Sequence, residues 1–207
     1  MLIVWGRKNS SNVKKVLWCL EELNLSYESK EVGGPFGGLD TPEYRKMNPN
    51  ATIPTLQDER FTLWESNSIL RYLTAKYDQS HLLIFNDAQD MAAADKWMDW
   101  SGANLFAVIK EMMNKIVRVP VEQRDPTQVI KIYQNIEQLL QIADEALAQQ
   151  EYFSGHKFGI ADIAIAPLFY PWRELATDRP EFPHLERWYQ QLQARPAFQK
   201  IVMLPIN

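Results

Sequence analysis

The chain has little of what would staple, anchor or metallate it. Cys19 is the single cysteine among 207 residues, so no internal disulfide can form, and a chain of this length buries enough surface to fold without one. A lone thiol fits a reducing compartment. No run approaches the roughly 18 apolar residues of a membrane span. The opening MLIVW gives way to polar residues after five positions, which predicts no secretory leader and a cytoplasmic protein. His81, His156 and His184 stand far apart, without ligand spacing, so no metal site is expected. Positive charge is lacking too: the net charge of −4 excludes a protein that grips nucleic acid through a dominant basic field.

What is present reads as globular. With 46% hydrophobic and 23% charged residues, the composition excludes disorder and coiled coil, and the length suits one large domain or two small ones. Residues 2–5 form a short apolar run of the kind a buried strand shows. Val13, Val16, Leu17, Leu20 and Leu23 then share one face at helical spacing, after cap-forming Ser10, Ser11 and Asn12. Residues 27–32 read as a second strand and 33–38 as a loop. Residues 55–57 and 61–63, joined by a polar turn, predict a hairpin, and residues 65–77 a helix. The order is βαβ, then ββα.

Beyond Asp78 the pattern is helical throughout. A connector at 79–86 precedes a long candidate helix at 87–117, broken by the prolines between 120 and 126. A stripe from Val129 to Leu147 follows. Residues 160–174 are apolar nearly all round, which predicts a central helix, and Pro167 within it predicts a kink or a restarted first turn. Two short helices, at 188–192 and 196–203, close the chain. The expected fold is an α/β domain over residues 1–78, a linker at 79–86 and an all-helical domain over 87–207.

Three segments could carry chemistry. In GRKNSSNVKK, residues 6–15, a hydroxyl at a helix start faces unpaired N–H groups that favour an anion, with Arg7, Lys8, Lys14 and Lys15 nearby. Ordinary capping with a solvated basic face explains the same residues. In NPNATIP, residues 48–54, Pro54 opens a strand. A cis Ile53-Pro54 bond would turn the Ile53 backbone outward to pair with an extended peptide, whereas a trans bond would make a plain turn. Glu65 and Ser66 begin the helix after the hairpin. They suit a ligand ammonium and carboxylate, or a simple cap.

Taken together, their order and spacing resemble the glutathione transferase superfamily over essentially the whole chain, most closely its bacterial theta- and nu-like members. PEYRKMNPNATIPTL is similar to that family's pattern before its own Ile-Pro or Val-Pro pair, FSGHKFGIADIAIAP to its helix-six signature, and HLERWYQQLQARPAFQK to its usual ending. The resemblance implies a thioredoxin-like domain and a helical domain, glutathione as cosubstrate, a small electrophile as partner, no metal, and a two-fold homodimer, with Arg71, Met91 and Trp97 as interface candidates. It places Ser10 and Asn12 as catalytic residues; Thr52, Ile53, Pro54, Glu65 and Ser66 then bind glutathione. Trp5, Arg7, Trp100, Asn104, Phe106 and Trp172 are candidates for lining the electrophile pocket by position alone. Cys19, two turns beyond the helix start, is expected in the core.

The chain departs from the pattern in three places. Leu39 and Asp40, and again Thr52, stand where relatives carry lysine, histidine or glutamine. The glycyl carboxylate of glutathione is thus left to Arg7 or to a second subunit. Gly159 stands where serine or threonine caps helix six. The activity implied is attack by the glutathione thiolate on hydrophobic or halogenated electrophiles. A glutathione-dependent disulfide or peroxide reductase is the alternative, and a non-catalytic binding protein of the same fold ranks last.

Overall fold

The computed structural model describes residues 1–176 and 178–206. Strand β1 (Leu2–Trp5) leads through helix α1 (Ser11–Glu22) to β2 (Tyr27–Lys30), which lies parallel to it with Leu2 beside Tyr27. The six-residue helix α2 (Pro42–Met47) was not evident from periodicity; Thr41 caps it by accepting the Tyr44 amide. Strands β3 (Thr55–Asp58) and β4 (Phe61–Trp64) form the expected hairpin, and helix α3 (Ser66–Tyr77) follows. The sheet runs β2-β1-β3-β4, with β3 antiparallel to both neighbours. This is the thioredoxin-like βαβ–ββα arrangement.

One carboxylate ties the hairpin to α3. Burial alone would raise the Asp58 carboxyl, yet donors from Lys76, Tyr72 and Tyr77, each at 2.6 Å, hold it at about 2. The second half of α3 is therefore tied to the turn end of the hairpin, which sets the direction in which α3 runs from Glu65 and Ser66.

The rest of the chain is helical. Helix α4 (Ala88–Trp100) and helix α5 (Phe106–Met112) belong to the long segment predicted at 87–117, but two π-helical turns, Ser101–Leu105 and Met113–Val117, interrupt it. Helix α6 (Pro126–Leu147) is capped by Asp125, which accepts the Thr127 and Gln128 amides. Helix α7 (Ile160–Leu175) packs against α1, α4 and α5. It runs on through Pro167 and Pro171, so the helix does not restart at Pro167. Its first thirteen residues are all buried, so packing on every side offsets the hydrogen bonds the prolines cannot make. Helices α8 (Pro183–Gln193) and α9 (Pro196–Ile201) close the chain, α9 lying against α1.

Candidate active site

The site is built where three chain reversals meet. Gly6 ends β1 at φ 152, and a Cβ there would lie 2.5 Å from Val13 Cγ2 and 3.2 Å from Ile53 Cβ. Glycine is what lets this turn close against the Ile53 loop. The chain then reverses through Arg7 to Ser10, whose amide bonds back to the Arg7 carbonyl. Ser10 is the N-cap residue of α1 by backbone conformation, and its carbonyl accepts the Lys14 amide. Its hydroxyl makes no capping bond, so the helix start holds a hydroxyl not committed to the helix itself.

The Ile53-Pro54 bond is cis. Among the described residues, neither backbone group of Ile53 has a hydrogen-bond partner within the chain. Two residues that the sequence reading passed over hold this loop in place. Buried Asn48 donates to the Thr52 carbonyl at 2.9 Å and to Thr55 Oγ1 at 3.2 Å, while accepting the Asn50 amide. The Tyr44 hydroxyl donates to the same Thr52 carbonyl at 2.7 Å. The NPN triplet was the available signal, since asparagine before proline favours such local bonds to the backbone.

Glu65, not Ser66, is the N-cap position of α3, at φ 71. A non-glycine residue at positive φ is uncommon and costs about 1–3 kcal/mol where the surroundings impose it, often at functional sites. Ser66 begins the helix instead of capping it. Its hydroxyl donates to Asn12 Oδ1 at 3.3 Å, so the starts of α1 and α3 are tied together by the two side chains singled out on them.

These segments form one wall of a cleft of about 1080 Å³ that also exposes Leu39 and Thr52. The opposite wall is helical: Phe106, Ile109, Lys110 and Met113, then Arg118, with Leu168 of α7 behind them. Of the pocket candidates, Arg7 and Phe106 line the cleft. The other four lie elsewhere. Trp5 donates its indole N–H to Gln57 at 2.6 Å beneath the Lys30 ammonium. Trp100 packs edge-on against Trp97, and Asn104 donates back to the Trp100 carbonyl. Trp172 is core, between Phe169 and Phe182.

Charge around the site is predominantly positive. Burial and the nearby Arg118 both lower the Arg7 guanidinium from its ordinary value, with Glu31 opposing them. The solvated basic face does not materialise at Lys14 and Lys15, which are both buried. Lys14 donates to the Val202 carbonyl, and burial with Arg7 lowers it to about 8. Lys15 is lowered to about 7 by burial, against the attraction of Glu65. Cys19 is fully buried, and burial together with Asp78 and Glu22 pushes its thiol far up. A thiol held in that state is a poor nucleophile. Among the described residues no cluster of three His, Cys, Asp or Glu side chains is placed to hold a metal, and no helix is long and apolar enough to cross a membrane.

Comparison with known proteins gives consistent matches. Residues 9–76 match the glutathione S-transferase N-terminal domain family and residues 107–196 the C-terminal domain family. The glutathione S-transferase GstB of Escherichia coli is 43% identical, over the full length of both chains. The crystal structure of a theta class glutathione S-transferase from Xanthomonas axonopodis pv. citri, with glutathione bound, superposes with a TM-score of 0.94 at 45% identity. It covers 100% of this chain and 99% of that one. More distantly, the disulfide-bond oxidoreductase YfcG of Escherichia coli is 26% identical, covering 90% of this chain and 87% of YfcG.

Proposed function

Since the chain belongs to the glutathione S-transferase family of enzymes, we propose that it joins glutathione to a small electrophile in this cleft, with Ser10 stabilising the thiolate. The supporting observation is the Ser10 hydroxyl itself. It is uncommitted at the start of a twelve-residue helix and shares the cleft with Ile53, Glu65 and Ser66. The unpaired Ile53 backbone takes the cysteinyl unit of glutathione, and Thr52 lies beside it. Glu65 meets the γ-glutamyl ammonium, and the amides at the start of α3, with the Ser66 hydroxyl, meet its carboxylate. Asn12 holds Ser66 in position.

The chemistry is one displacement. The thiol proton leaves to solvent, the sulfur attacks the electrophilic carbon, and the leaving group departs with its electron pair. A thiol of pKa about 8.5 is roughly 7% ionised near pH 7.4, so lowering it two units gains about tenfold in thiolate. Part of that gain is offset by weaker nucleophilicity. Holding the electrophile in line against Phe106, Ile109 and Met113 must supply the larger share.

Calorimetry with glutathione and S-methylglutathione, followed by steady-state kinetics of Ser10→Ala, tests this reading. We expect both ligands to bind, and turnover of the variant to fall about tenfold or more while glutathione affinity changes less than threefold. Equal losses in both would remove Ser10 from the thiolate. A disulfide reductase is the second reading, favoured by Asn12 at the cleft and by the likeness to YfcG. It would consume two glutathiones for each disulfide and release oxidised glutathione, which an assay for that product separates from transfer. The same family reading includes a cytoplasmic, detoxifying homodimer. Met91, Phe61 and Trp64 are its exposed apolar candidates, whereas Trp97 is buried against Phe153. A solution mass equal to the single 24.1 kDa chain would exclude the dimer.

A further inference from the structure

The helical wall of the cleft carries a cation that an ordinary helix would not place there. Phe106, Ile109, Lys110 and Met113 face the cleft at α-helical spacing. At 3.6 residues per turn Arg118 would lie about 140° round the axis from Met113. It does not, because Met113–Val117 is a π-helical turn closed by the Arg118 amide on the Met113 carbonyl, 3.1 Å away and five residues back. The π turn ends the helix, with Arg118 as its C-cap at φ −89 and ψ 0, and at that position Arg118 lines the cleft with Met113.

Arg118 is also electrically unspent. Its guanidinium donates to Asn114 Oδ1 and, like the Arg7 guanidinium and the Lys110 ammonium, makes no ion pair with a carboxylate among the described residues. The cleft gathers Arg7, Lys8, Lys110 and Arg118 against only Glu31 and Glu65, in a chain whose net charge is −4. Arg7 and Arg118 repel one another across it. Like charges are brought this close, without a partner carboxylate, where an anion is to be bound.

We propose that the electrophile carries a carboxylate or similar anionic group and that Arg118 is the residue that selects it. The inference rests on the transferase reading above. Glutathione's own glycyl carboxylate presents the same chemistry. However, Arg118 projects from the helical wall beside Phe106 and Met113, whereas the segments assigned to glutathione lie on the sheet-domain wall. The anion is therefore placed on the second substrate.

Two stable thioethers that differ only in charge test this, S-(4-carboxybenzyl)glutathione and S-(4-carbamoylbenzyl)glutathione, with S-methylglutathione as reference. Calorimetry on the intact protein should show the acid binding about fivefold or more tighter than the amide, an advantage that narrows as salt is raised. In Arg118→Gln, which keeps a polar side chain and removes the charge, the two should bind within twofold of each other. Equal affinities for acid and amide in the unaltered protein would overturn the inference and leave the glutathione site standing. So would an acid preference that survives in Arg118→Gln. If Arg118→Gln weakens S-methylglutathione as much as the acid, the guanidinium serves the glycyl carboxylate and the proposal falls. Failure of the unaltered protein to bind S-methylglutathione would remove the glutathione reading and this inference with it.

Discussion

Lys15 sits on α1 three residues beyond Asn12, with 1% of its surface exposed. The unfolded chain holds its proton up to the ordinary value of 10.5, whereas in the folded protein burial lowers that value to about 7. Between those limits the unfolded state binds more protons, so stability rises with pH across the window, and below pH 7 the full cost of the buried charge is felt. Lys15→Met keeps the length of the side chain and removes the charge. It should raise the melting temperature by several degrees at pH 6, and the gain should shrink steadily as the pH approaches 10. Melts of both proteins at matched pH check this, and a gain independent of pH would assign it to packing instead. From sequence alone Lys14 and Lys15 fit a solvated face, since α1 shows one apolar stripe. That stripe predicts burial on one side only. In the fold α1 is covered by α3 on one flank and by α7 and α9 on others, so residues off the stripe are buried as well.

At the scale of elements, the helix starts that line the cleft were legible, whereas α2 was missed and α8 begins at Pro183, five residues before the expected start. Ser10, Ile53-Pro54 and Glu65-Ser66 announce themselves through short-range signals, namely cap residues, a proline at a strand start and an acidic-hydroxyl pair, and all of them line the cleft. The far wall depends on which face of a long helix looks inward. Phe106, Ile109, Lys110 and Met113 share that face at α-helical spacing and line the cleft with Arg118, whereas Trp100 and Asn104 lie off it. No single-period pattern carries that information. The start of α7 shows the same principle in another form. Gly159 stands where the family places a capping hydroxyl, and its backbone is extended, so conformation does not demand glycine there. Space does. A Cβ would lie 2.5 Å from the Leu83 carbonyl and 2.8 Å from Ser154 Oγ, and that serine already accepts the Ala161 amide at 3.1 Å. The hydroxyl has moved to another residue, while Asp162 accepts the Gly159 amide at 3.0 Å, the Phe153 amide and the Trp188 indole N–H. Restoring the family's cap should therefore harm the protein. Gly159→Ser is expected to cost about 2 kcal/mol through overpacking, read as a lower urea midpoint at unchanged slope. Adding Ser154→Gly should recover little, since it relieves one of the two clashes but removes the acceptor of the buried Ala161 amide. A single variant of full stability would mean that the loop carrying Leu83 gives way.

On the scale of the whole molecule, α1 belongs to both domains. Its N-terminus faces the cleft, and side chains along its length are gripped by the end of the chain. Arg195 reaches Glu22 with two bonds of 2.8 and 2.6 Å and lies 3.8 Å over the Phe158 ring, Lys200 pairs with Glu21, and Lys14 bonds the Val202 carbonyl. The two-domain plan was readable because the change from mixed to wholly helical periodicity near residue 80 is a compositional fact. This clamp was not, because it joins residues 173 apart in the chain, and no local pattern encodes such a pairing. The clamp makes the position of α1, and of Ser10 at its start, depend on the last elements, so the two domains should unfold together. Arg195→Ala leaves the Glu22 carboxylate, whose side chain is 9% exposed, without its fork of donors. Breaking a fully buried pair costs about 3–5 kcal/mol, and the partial exposure of Arg195 reduces the expected loss to about 2 kcal/mol. For a chain of this size that is a fall in melting temperature of roughly 4–8 °C. Arg195→Lys should recover little, since an ammonium can neither bridge both carboxylate oxygens nor stack on the ring in the same way. Calorimetric unfolding should give one transition in all three proteins. If Arg195→Ala instead splits it in two, the clamp is the main tie between the domains, and α1 will melt with the sheet before the helical core does.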